Sequence, residues 1–123
     1  MTSLSPDLAA WLDTEATHLD IAHDGAAAVL PRLADAGMFR IGIAAEHGGS
    51  GGDITDAVAA ISAVSERSLA AGFVFWGHRT FIEYLLQSPN TKLRDALLPD
   101  LLAGRRAGAT GLSNAMKFLS GIE

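Results

Sequence analysis

The sequence predicts an all-α domain of about five helices. Apolar residues recur at separations of three and four along most of the 123 residues, helix-start residues precede these runs, and Gly or Pro follows them.

Ser5-Pro6-Asp7 opens the first helix, expected over residues 6–23. A Ser hydroxyl can accept an orphan amide, and Pro at the first helical position loses no hydrogen bond. Leu8, Trp11, Leu12, Leu19 and Ala22 form its apolar stripe, with Asp13, Glu15 and Asp20 off it. Asp24 is placed to cap a second helix over residues 25–36, whose Val29, Leu30 and Leu33 face a core and whose end is marked by Gly37. Pro31 falls inside it. An interior proline costs about 3 kcal/mol, so either a kink or a later start near Leu30 is expected.

Residues 38–43, Met-Phe-Arg-Ile-Gly-Ile, read as an extended connector into a glycine-rich loop at residues 44–53. Asp53 then caps a third helix with Ile54, Ala57, Val58, Ile61 and Val64 in clean helical period. After the polar Glu66-Arg67-Ser68, residues 69–87 make a fourth helix, apolar and aromatic enough to be buried on most sides. Ser88-Pro89-Asn90 breaks it. Thr91 is expected to cap a fifth helix over residues 92–98, and Pro99 to open a last short turn stopping at Gly104. Residues 107–113 are small and flexible, and read as a strand needing close backbone approach.

Composition narrows the function. The net charge is -5, and the nine Lys and Arg are scattered, so nucleic acid is not an expected partner. The absence of cysteine removes disulfides and thiolate chemistry. No signal peptide is recognisable at the amino terminus, and no apolar run approaches the roughly 18 residues of a membrane span. A soluble, cytoplasmic protein that binds no membrane is the expectation.

The glycine loop invites a nucleotide, but lacks the third glycine of a dinucleotide fingerprint and the Lys-Ser or Lys-Thr of a P-loop; Asp53 stands where a phosphate would sit. It reads as a structural turn. His18, His23, His47 and His78 have no metal-ligand spacing, so no metal is expected. His78, within F-V-F-W-G-H-R-T-F, is either a satisfied core histidine or a pocket-facing donor. Phe73, Phe75, Trp76 and Phe81 are either core or the walls of an apolar cavity. Glu83 reads as part of a solvated face, and Ser113 lacks the setting of a nucleophile.

Two segments carry a resemblance. L-A-D-A-G-M-F-R-I-G-I-A-A-E-H-G-G-S-G-G-D, from Leu33, resembles the acyl-CoA dehydrogenases where a Leu-x-x-x-Gly helix end leads through Ile-x-x-Glu-x-Gly-Gly-x-Gly into the next helix. L-L-P-D-L-L-A-G-R-R-A-G-A-T-G-L-S-N resembles that family's Leu-Pro-x-Leu-x-x-Gly segment and the strand after it. Together they span residues 33–113 in family order and spacing.

The resemblance implies a flavoprotein of an amino-terminal helical domain, a middle β domain and a carboxy-terminal bundle. Residues 1–106 would be the helical domain, and residues 107–123 the first strand of an otherwise missing β domain or a disordered tail. It implies FAD in the complete enzyme, not retained by this chain, with Leu112 and Ser113 contacting the flavin. Phe75, Trp76, His78 and Phe81 would line a pocket for an acyl thioester or another apolar small molecule. The family's catalytic carboxylate lies in the carboxy-terminal bundle, so no catalytic residue is expected here, and the chain alone should be inactive.

Missing domains or a homo-oligomer would cover its apolar surface. Asn114-Ala115 stands where the family has Glu-Pro, and Ala44-Ala45 replaces a proline before the loop. These departures leave flavin-dependent monooxygenases of the same fold, where a His on the corresponding helix faces the flavin, and a stand-alone docking module as alternatives.

Overall fold

The computed structural model describes residues 4–21, 26–110 and 119–121. Among the described residues five helices follow one another: α1 (Pro6–Ile21), α2 (Ala26–Asp35), α3 (Ile54–Arg67), α4 (Leu69–Gln87) and α5 (Thr91–Leu102). Two 3-10 turns, Met38–Arg40 and Ala45–His47, link α2 to α3. Among the described residues there is no strand, only isolated bridges from Ile41 and Ile43 to Gly51. The all-α expectation holds, with α4 as the central helix that packs on each of the other four.

The start of α1 is capped as the sequence suggests, Ser5 Oγ accepting from the Leu8 amide at 3.3 Å. Leu8 and Leu12 enter the core, and Trp11 carries the Arg32 guanidinium 5.2 Å from its ring centroid. The expected α2 cap, Asp24, lies outside the described residues. Pro31 does not delay α2, which already starts at Ala26. The proline sits on the exposed side of the helix, where the carbonyl it cannot pair can turn to water, while Val29 and Leu33 are buried on the other.

Residues 38–43 differ from the extended connector expected. Gly37 takes the left-handed conformation at φ 74° and reverses the chain into the 3-10 turn, which buries Met38 and Phe39 together. A strand would have pointed these neighbours to opposite faces. The glycine loop that follows is closed on itself: Gly42 donates to Gly51 O at 2.9 Å, Gly51 to Ile43 O at 2.8 Å, and Ser50 to Arg40 O at 2.9 Å. Arg40 Nη1 adds a bond to Gly48 O at 2.7 Å. A Cβ at Gly49 would lie 1.9 Å from Ile43 O, so only glycine permits this closure. Amides engaged in this way cannot cradle a phosphate, and the loop is the turn its sequence indicates.

Asp53 and Asp56 form a reciprocal capping box at the start of α3. The buried face of α3 is Ala57, Ala60 and Val64; Ile54 and Val58, expected on that face, are instead exposed. Ser68 caps α4 through the Ala71 amide at 3.1 Å, and Ala71, Gly72, Phe75, His78, Ile82 and Leu85 turn inward. Phe75 meets Phe39 edge-on, with centroids 5.6 Å apart.

Burial of α4 on most sides is not what is found, because Leu69, Phe73, Trp76 and Tyr84 form an exposed line along it. Asn90, not Thr91, caps α5, its Oδ1 accepting from Leu93 N at 3.0 Å. The helix runs through Pro99 to Leu102 instead of breaking there, since Leu98, Leu101 and Leu102 pack into the core while Pro99 faces solvent.

Candidate functional site

A cleft of about 370 Å³ opens beside the exposed side of α4. It is lined by Phe73, Val74 and Gly77 of α4, Leu30 of α2 and residues 107–109. The lining is almost entirely apolar, which suits a hydrocarbon chain more than a charged group.

The four pocket residues expected from the sequence are divided by the fold. Only His78 lines the cleft. Phe75 faces the core with no exposed surface, and Trp76 lies on the open side of α4, its ring 5.7 Å from that of Phe73. Phe81 is half-buried behind the cleft wall, so close that a Cβ on Gly108 would come within 2.5 Å of its ring. Leu112 and Ser113 lie outside the described residues.

Gly77 was not singled out from sequence, while residues 107–113 were read as a strand needing close backbone approach; the described part, 107–110, is not a strand, but Gly108 does make such an approach. Gly77 carries a legible signal, an interior helical glycine whose added Cβ would meet nothing within 4 Å. The small residues there are the local signature of a close approach, but which element residues 107–109 return to is a long-range contact that they do not name.

His78 is 1% exposed, and both ring nitrogens are engaged. The Gly108 amide lies 3.1 Å from Nδ1 and can only donate, so Nδ1 accepts. The ring proton therefore sits on Nε2, which donates to Leu101 O at 2.8 Å. The Phe39 ring covers it with centroids 4.3 Å apart. Burial pushes the imidazole below its ordinary value; the bond to Leu101 O opposes this without reversing it. The result is a satisfied, neutral histidine with an apolar ring edge on the cleft and no free polar atom to offer it.

Arg79, next along α4, is 2% exposed, and sequence reasoning did not single it out. Its Nη1 donates to Glu83 Oε1 at 2.8 Å and its Nη2 to Gly42 O at 3.4 Å, tying the helix to the glycine loop; its Nε has no partner. Burial raises the Glu83 carboxyl, but hydrogen bonds from Gln87 and Arg79 and the charge of Arg79 outweigh it, and the net shift is downward. Glu83 is thus the counter-ion of a buried guanidinium, not simply part of a solvated face.

Among the described residues no group of three or more His, Asp or Glu is placed to hold a metal ion, and no helix is long and apolar enough to cross a membrane. No curated protein and no solved structure matches the chain significantly. A family model does match, that of the acyl-CoA dehydrogenase N-terminal domain, over residues 4–105. That interval holds all five helices and the glycine loop, and the chain belongs to the acyl-CoA dehydrogenase family as an N-terminal helical domain.

Proposed function

We propose that this chain forms one wall of the acyl pocket in an FAD-dependent oxidoreductase that introduces a double bond between Cα and Cβ of an acyl thioester. The observation that carries the reading is the apolar cleft on the open side of α4, in a chain of this family. Phe73, Val74 and Leu30 would hold the hydrocarbon part of the substrate and exclude water from it, and Gly77 would let it approach the helix backbone.

The described residues fit an acyl chain and not a flavin. The glycine-loop amides are closed on themselves, and His78 has no free nitrogen, so neither the loop nor that histidine offers a polar atom to a pyrophosphate or a flavin ring. FAD, held by other parts of the enzyme, would accept the hydride from Cβ of the substrate, and a carboxylate outside this chain would take the proton from Cα. Leu112 and Ser113 are the proposed flavin contacts of this chain. Residues 1–106 would then be the helical domain, with residues 107–123 leading into the β domain. The occupied nitrogens of His78 take away the feature that recommended a monooxygenase.

The complete enzyme tests this. Mixing it with a saturated acyl-CoA under anaerobic conditions should bleach the flavin absorbance, and Gly77→Leu should shift the preference toward shorter chains. A flavin that stays oxidised with every acyl-CoA, yet turns over with supplied reduced flavin and oxygen, would sink the dehydrogenase reading.

A further inference from the structure

We propose that His78 is a positioning residue, a proton-sensitive clip that holds residues 107–109 as the second wall of the cleft and releases them when the ring takes up a second proton. The neutral ring meets two opposite demands. It accepts from the Gly108 amide at Nδ1 and donates to Leu101 O from Nε2, joining the end of α5, the middle of α4 and the segment leaving α5. An imidazolium has only donors. Its Nδ1–H would face the Gly108 N–H across 3.1 Å, so that contact must open while the bond to Leu101 O survives.

The wall has reason to move as a unit. Residues 107–110 belong to no regular element, and the contacts that fasten them include the His78 bond and the 2.9 Å contact between Thr110 Oγ1 and Tyr84 OH. Gly108 is the point of closest approach, pressed against the Phe81 ring where no Cβ fits.

Nothing around the ring is arranged to hold a charge. Phe39 covers one side, and the cleft residues beside it are apolar. The charged groups on the elements packed around it are directed elsewhere. Arg79 of α4 binds Glu83 and Gly42 O, and Arg40 of the 3-10 turn binds Gly48 O. Arg32 of α2 lies over Trp11, and Asp100 at the end of α5 binds Arg105. Asp35 of α2 and Arg106 of the departing segment show no bond to the ring either; its partners are Leu101 and Gly108.

This inference is independent of the proposed reaction and is tested on the 123-residue chain by NMR. At neutral pH the ring nitrogens of His78 should report a proton on Nε2 and none on Nδ1. On acidification the protection of the Gly108 amide, its exchange rate set against that of an unstructured amide at the same pH, should fall roughly tenfold in step with the His78 titration, the effect of one lost hydrogen bond, while the Val64 amide of α3 keeps its protection. The two amide substitutions separate the bonds. His78→Asn places an acceptor near Nδ1, and should keep Gly108 protected and remove the pH step. His78→Gln places a donor near Nε2, and should leave Gly108 exchanging fast at every pH.

A proton found on Nδ1, or a Gly108 amide whose exchange ignores the titration of His78, overturns the proposal. The wild-type titration decides the matter even if a substituted chain fails to fold.

Discussion

Two glycines five residues apart on α4 should respond to the same substitution with opposite signs. A Cβ built on Gly72 lies 1.9 Å from Ser65 Oγ and 2.9 Å from Ser65 Cα, whereas one built on Gly77 meets nothing within 4 Å. Alanine is better than glycine in a helix interior by about 1 kcal/mol, so Gly77→Ala should stabilise the chain by about that amount. At Gly72 the serine hydroxyl could swing aside, but the α3 backbone cannot without separating α3 from α4. Overpacking of that kind costs about 1–3 kcal/mol, enough to cancel or exceed the helical gain and leave a net loss of up to about 2 kcal/mol.

Urea unfolding followed by circular dichroism reads both. With a slope of about 1–3 kcal/mol/M, a change of about 1 kcal/mol moves the midpoint by about 0.3–1 M, upward for Gly77→Ala and downward for Gly72→Ala. A midpoint lowered by Gly77→Ala would mean that the space beside Gly77 is filled and that the cleft argument fails. A glycine kept at an open helical position, where alanine would be more stable, is the signature of a site that trades stability for access.

Phe75→Ala should cost about 3–5 kcal/mol, because the ring is wholly buried and edge-packed on Phe39, and thermal unfolding should show the drop; a loss below about 1 kcal/mol would contradict that packing. Stability should fall as pH drops below about 6.5: the unfolded His78 binds its proton there first, since its folded value is lowered, and the loss levels off once the folded ring also titrates. Glu83 extends the fall further into acid, because its stabilising contribution is complete above the unfolded carboxylate range and disappears as pH drops through its lowered folded value; denaturation midpoints flat between neutrality and the carboxylate range would refute the His78 assignment, and midpoints that fall no further below that range would refute the one for Glu83. Leu69 and Phe73, 74% and 69% exposed, should drive self-association of the isolated chain, seen as a concentration-dependent sedimentation coefficient that Phe73→Lys reduces.

How much of this was legible depended on whether the signal was local. Residues 69–87 are readable as α4 because Ser68 at one end and Ser88-Pro89 at the other are local stops, and the capping Asp53 is legible for the same reason. Pro31 and Pro99 mislead because local chemistry counts the hydrogen bond they remove, while the outcome depends on which side of the helix they occupy and how much leucine is buried opposite. The site was legible as a helix and not as a face. In α4 the aromatic residues surround the axis, so hydrophobicity gives no phase, and Phe75 could not be told from Phe73 until α3 and α5 were packed against it. The second wall of the cleft comes from contacts 30 residues apart, such as Gly108 to His78, which no window of sequence reveals.

The division of α4 into two faces also gives the glycine loop, the most conspicuous stretch of the sequence, a structural part. Gly42 O, at the base of the closed loop, accepts from the buried Arg79, so this turn's contribution is to receive a hydrogen bond from α4 and help seat that helix. Arg79 and His78 are neighbours that link α4 in two directions, one to the loop before α3 and the other to α5 and the segment beyond it. With its inner face held by these polar contacts as well as by Phe75 and Ile82, α4 can leave Phe73, Trp76 and Gly77 open without losing its place. An exposed apolar line on a helix marks a surface that binding covers, and the cleft marks where a ligand or another part of the enzyme would do so.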